Sequence, residues 1–184
     1  MYKRQLLQEP HPRYNPDVPG SVVFKRPNAK HQELFGRNQP VVDVVLDPDL
    51  ARILRPHQIE GVKFMYEAVT GISSLEQGHT SPGQGAILAD EMGLGKTLQT
   101  IALIATLLRQ NCYFSNIRPG TVEKVLIVCP LTLVVNWKRE FRKWIGRSSI
   151  GVLAVEGDGR KEVERFVSHR QYQVLILGLS LIHI

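Results

Sequence analysis

The residues most able to do chemistry lie in one stretch, DEMGLGKT, Asp90 to Thr97. Binding a phosphate chain takes backbone N–H groups aimed inward, a helix N-terminus and one long cation. Gly93 and Gly95 allow backbone geometries that a side chain would block. Lys96 is the cation that reaches the β- and γ-phosphates, and the Thr97 hydroxyl is a ligand for the magnesium ion that bridges them. The loop, comprising Asp90, Glu91, Met92, Gly93, Leu94, Gly95, Lys96 and Thr97, is read as a site for ATP and Mg2+. Lys96 and Thr97 take the catalytic roles, and Thr97 sits on the metal. One position departs from the pattern. A phosphate loop carries glycine five places before the glycine that precedes the lysine, and this chain has Asp90 there. The plain alternative is a glycine-rich turn with a surface lysine.

Such a loop must be held between a strand and a helix. GAILA, 85–89, reads as a short buried strand, and Leu98, Ile101, Ala102, Ile104, Ala105 and Leu108 then form a broad apolar helical face. Upstream, Pro56 suits the first turn of a helix. Ile59, Val62, Met65, Tyr66 and Val69 follow at helical spacing, and Gly71 is a stop. Downstream, KVLIVCP (124–130) is an almost continuous apolar run, as in a parallel sheet covered on both faces. A helix over 131–146 puts Trp137, Phe141 and Trp144 toward the core. A strand over 150–157, a helix over 159–170 and a strand over 173–178 follow. This alternation predicts an α/β fold, a parallel sheet with helices on both faces, over 51–178. Residues 6–50, rich in Pro, Asn, Arg and Lys, read as an irregular basic extension containing one short apolar run, VVDVVLDPDL at 41–50. Residues 73–85 and 111–121 read as loops.

The bulk numbers agree with a globular protein: 184 residues, 43% hydrophobic and 22% charged. The net charge of +6 makes an acidic partner plausible, nucleic acid first among them. Cys112 and Cys129 have no metal-like spacing and read as reduced thiols. No HExxH occurs, no apolar run is long enough to span a membrane, and the first residues lack a signal-peptide core. The default is an intracellular protein.

LADEMGLGKT resembles motif I of the SWI/SNF-type ATPases, double-stranded-DNA translocases built on the superfamily-two helicase core. That family commonly has Asp at the position of the missing glycine. The resemblance implies a RecA-like sheet, here an incomplete first lobe. LRPHQIEGVKFM (54–65) resembles the family's Q-motif region, which implies that Gln58 reads the adenine; an amide can bond an adenine edge in two places. VCPLTLVVNWKREF (128–141) resembles motif Ia, which implies that Asn136, Lys138, Arg139 and Arg142 face the DNA backbone. QVLILG (173–178) resembles the start of motif Ib. Residues 26–58 resemble the recombination-repair branch of the family, the Rad-fifty-four type, most nearly its B form. That branch implies duplex DNA and a strand-exchange recombinase as partners, and a nuclear location.

Hydrolysis needs an acidic motif beyond the loop. The only adjacent acidic pair is Asp90-Glu91, inside the loop itself. Asp47 and Glu156 follow apolar runs and read as loop residues. The chain alone is therefore expected to bind ATP without turning it over. Its two ends prompt a further expectation. MYKRQ is encoded by GTG TAT AAG AGA CAG, whose reverse complement encodes LSLIH. That string resembles a transposase adapter used in sequencing libraries, so residues 1–5 and 179–184 are expected to be translated adapter around a fragment spanning Leu6–Gly178. Two other readings stand beside the translocase: a non-catalytic nucleotide- or DNA-binding module, and a P-loop small-molecule kinase. The basic, tryptophan-containing helix after the second strand argues against the kinase.

Overall fold

Two helices form the hub. α3, Pro56–Thr70, starts on a proline, whose missing N–H costs nothing in a first turn, and stops at Gly71. Gly71 lies at φ 84°, the left-handed conformation that closes a helix end, and a short helix α4, Ile72–Glu76, takes up the start of the expected 73–85 loop. α5, Lys96–Arg109, is buried on almost every side from Leu98 to Leu108, as an apolar helix without a polar face must be. These helices pack together and carry Val62, Tyr66, Ile101 and Ala102, all fully buried. This computed structural model describes residues 9–76, 83, 85–146, 150–155 and 159–181. Expectations for 1–8, most of 77–84, Glu156 and 182–184 lie outside the described residues.

Beyond α5 the expected alternation is present. β1 is Val125–Cys129, α6 Val134–Ile145, β2 Gly151–Ala154, α7 Arg160–Ser168 and β3 Tyr172–Gly178. The strands form a parallel sheet in the order β1-β3-β2, with Val125 opposite Val174 and Cys129 opposite Gly178. The step from β1 to β2 passes over β3, and the step from β2 to β3 returns. Right-handed crossovers then put α6 and α7 on opposite faces. The α6 side holds Ile127, Val174 and Ile176 in the main core. On the other side Leu175 is buried, but Leu126 and Val128 of the edge strand β1 are exposed. No helix among the described residues is long and apolar enough to cross a membrane.

One strand expectation fails. Residues 85–89 form no regular element and pair with no strand among the described residues, and Ile87 is 87% exposed. A strand is stabilised by ladder partners on its edges, and among the described residues none lies beside this segment.

The segment before residue 51 has little regular structure: α1 at Ala29–His31, a π turn at Gln32–Gly36 and α2 at Pro48–Ala51. It is nonetheless part of the core. Phe24 is buried with its ring 4.5 Å from that of Tyr66, beside Val44, Leu46 and Leu50. The Gln110 side chain acts as a strand partner for Val45, accepting from its N–H at 3.1 Å and donating to its carbonyl at 2.7 Å. Buried His31 uses both ring nitrogens. Thr70 carbonyl oxygen can only accept, so Nε2–H donates to it at 2.9 Å, and Nδ1 accepts from the Tyr113 hydroxyl at 2.6 Å.

Burial pushes the Cys112 thiol up to about 11 from its ordinary 9.0. Below pH 9 the thiol is protonated in both folded and unfolded chains, so this stabilisation is fully present there. It is lost as pH rises from 9 to 11, because only the unfolded chain releases the proton. The urea-unfolding free energy is expected to fall across that window, with Cys112 contributing up to about 1.4 kcal/mol per pH unit. A Cys112→Ala chain losing stability just as steeply would remove the thiol from the account.

Candidate functional site

The loop enters α5 through Gly95, at φ 85°. The backbone conformation requires glycine there, and a Cβ would lie 2.2 Å from Gln58 Nε2, so the amide would have to shift. Gly93, at φ 89°, faces open space. Lys96 begins the helix, and its ammonium folds back to donate to the carbonyls of Asp90 (2.7 Å) and Glu91 (2.8 Å). The loop thus carries its cation curled over its own backbone.

Beside the loop is a cleft of about 540 Å³. Met92, Gly93, Leu94, Gly95, Lys96 and Thr97 line it, together with Gln58 and Arg55 from the start of α3. Asp90 and Glu91 do not line it; they serve the loop through their carbonyls. The opposite wall is α6, through Asn136, Glu140 and Trp144. The Trp144 indole N–H donates to Glu140 at 2.7 Å, which orients the carboxylate along this wall.

Gln58 sits in the cleft wall, yet both ends of its amide are engaged. Its Oε1 accepts from the Arg55 N–H at 2.9 Å, completing the cap of α3, and its Nε2 donates to the Leu94 carbonyl at 2.9 Å. Gln58, the expected adenine reader, also ties α3 to the phosphate loop.

The four expected DNA-facing residues do not lie together. Asn136 belongs to the cleft, where its Oδ1 accepts from Arg139 Nη2 at 2.7 Å. Lys138 and Arg142 line a groove of about 170 Å³ with Phe141 and Ile150. Positions two apart on a helix point in nearly opposite directions, so Asn136 and Lys138 cannot share a face. Phe141 is core, as expected, whereas Trp137 and Trp144 are only partly buried.

Two residues escaped the sequence reading. Gln99, fully buried, donates from Nε2 to Asp90 Oδ2 at 2.7 Å, and Gly61 of α3 provides the room for its amide. The available signal was a lone amide inside the apolar run that follows Lys96.

The residues present fit a nucleotide's phosphates: an open glycine, a helix N-terminus and a lysine whose partners among the described residues are loop carbonyls. Comparison with known proteins agrees with that chemistry. The sequence profile of the SNF2-related domain matches residues 57–183. The chain is 47% identical over 184 residues to the DNA repair and recombination protein RAD54B of Gallus gallus, covering 98% of this chain and 19% of that protein. It is 46% identical to RAD54B of Homo sapiens, covering 96% of this chain and 18% of that protein. It is 42% identical to the DNA repair and recombination protein RDH54 of Saccharomyces cerevisiae (strain ATCC 204508 / S288c), covering 74% of this chain and 17% of that protein. The chain thus spans about a fifth of the length of the curated relatives it matches. A solved structure, the Sulfolobus solfataricus SWI2/SNF2 ATPase core in complex with dsDNA, aligns at a TM-score of 0.48 and 27% identity, over 70% of this chain and 22% of that one. With its profile match running from the α3 amide through the phosphate loop to the sheet, this chain belongs to the SNF2-related domain family.

Proposed function

We propose that this chain is the nucleotide-binding part of an ATP-driven translocase on duplex DNA that serves homologous recombination and repair in the nucleus, alongside a strand-exchange recombinase. The observation carrying the reading is the cleft in which Gly95, Lys96 and Thr97 open α5 against Gln58 of α3. The loop N–H groups and Lys96 would hold the phosphates, Lys96 giving up its two loop carbonyls for phosphate oxygens. The Thr97 hydroxyl would hold Mg2+, which would supply neutralising charge to the phosphates. Lys138 and Arg142 offer cations to a DNA backbone, which gives affinity without sequence choice.

Among the described residues Glu140 is the one carboxylate lining the cleft, and it already accepts from the Trp144 indole. Asp47 lies outside the cleft lining, where it accepts from Tyr14 and Arg109. The chain by itself is therefore expected to bind Mg-ATP saturably but to release no phosphate over many turnovers, with or without duplex DNA. Titration with a fluorescent ATP analogue and a phosphate-release assay on the purified chain decide this. Absence of saturable binding rejects the site, and DNA-stimulated phosphate release rejects the division of labour.

A further inference from the structure

We infer that Gln99 is a positioning residue for the phosphate loop, holding the Asp90 carboxylate back against the α3–α5 packing and away from the bound phosphates. The inference rests on the nucleotide reading of the loop. Asp90 stands where the general pattern has glycine, and a carboxylate at that point is a like charge to a triphosphate. In this structure it is turned away: Asp90 is absent from the cleft wall, and its Oδ2 accepts from Gln99 Nε2 at 2.7 Å. Gln99 itself is fully buried one turn into α5.

The other end of the same amide shows what is gained. Gln99 Oε1 is buried with no hydrogen-bond partner. An aliphatic side chain would pack at this position without a stranded acceptor, so the distinctive contribution of the amide is its bond to Asp90. α3 accommodates the arrangement by carrying glycine at 61, since a Cβ there would lie 2.1 Å from Gln99 Oε1. Glycine is otherwise a poor choice within a helix. Gly61, Gln99 and Asp90 thus form one line from α3 through α5 to the loop. It runs beside the separate tie that Gln58 makes to Leu94.

The test uses the 184-residue chain and four variants: Gln99→Leu, Gly61→Ala, and each of these combined with Asp90→Gly. Two quantities are read: affinity for a fluorescent ATP analogue with Mg2+, and the melting temperature without nucleotide. Gln99→Leu is expected to weaken binding about tenfold, the scale of one lost hydrogen bond to a charged group, without lowering the melting temperature. Gly61→Ala pushes the amide aside and is expected to weaken binding to a similar degree, although alanine favours the helix. Adding Asp90→Gly removes the carboxylate and is expected to restore binding to within about threefold of wild type in both backgrounds. Wild-type affinity in Gln99→Leu overturns the inference. So does a double variant as weak as its single parent, because the loss is then general disorder of the core. Should Gln99→Leu not fold, the Gly61→Ala pair decides by the same criteria. Failure of the parent reading looks different: the wild-type chain shows no saturable binding, or Lys96→Ala binds as well as wild type, and the positioning role falls with it.

Discussion

Exchanging Lys96 for alanine is expected to weaken Mg-ATP binding by about 100-fold or more, while leaving the fold nearly as stable as before. Two consequences of the geometry lead there. The ammonium is the long cation that the loop itself places at the N-terminus of α5, while Arg55 lines the same cleft from the start of α3. Each charge-assisted hydrogen bond to phosphate contributes about 1.5–3 kcal/mol, and two such bonds correspond to about 10²-fold or more in affinity. Without nucleotide, Lys96 bonds among the described residues to the carbonyls of Asp90 and Glu91, which water can reach once the ammonium is gone, so its removal costs the folded chain less than about 1 kcal/mol. Calorimetric titration and a thermal melt on the same sample separate the two effects. Comparable affinity in the alanine chain would mean that the cleft does not take its nucleotide by the phosphates.

Phe24→Ala is expected to be the most damaging change outside the loop. Phe24 is 3% exposed, its ring is 4.5 Å from that of fully buried Tyr66, and its N–H donates to the Val44 carbonyl at 2.9 Å. Truncating a buried phenylalanine costs about 3–5 kcal/mol, in part because the cavity does not fully collapse. In a chain of this size that lowers the melting temperature by roughly 10 °C. The result bears on where the folding unit begins. If residues 9–50 were a dispensable extension, the loss would be under about 1 kcal/mol, the range of a surface change. A loss of the expected size instead makes the segment part of the hub, through Phe24, the Gln110 amide on Val45 and the His31 ring between Thr70 and Tyr113.

What the sequence by itself determined are the features governed by local periodicity and local chemistry. The α3 span from Pro56 to Gly71 follows from a proline that fits only a first turn, apolar residues at helical spacing, and a glycine able to adopt φ 84°. α5 and the three strands follow from apolar runs of the right length and period. The loop is legible because phosphate binding demands glycine and lysine at set positions before a helix.

Only the tertiary structure decided the rest, because it depends on residues distant in the chain. GAILA has the composition of a strand, but a ladder partner cannot be read from five residues. The 9–50 segment looks like a tail by composition, yet its few apolar side chains meet α3 and α5. The bonds of the Gln58 amide to Arg55 and Leu94 follow from α3 beginning against the loop, which its residue type does not specify. Asn136 and Lys138 are neighbours in a motif and lie on opposite sides of a helix. Gln99 reads as a blemish in an apolar run until Gly61 and Asp90, 38 residues before it and 9 before it in the chain, are seen on either side of its amide. In each case the side chain's type was visible in the sequence, and its partner was set by packing between elements that no local pattern specifies.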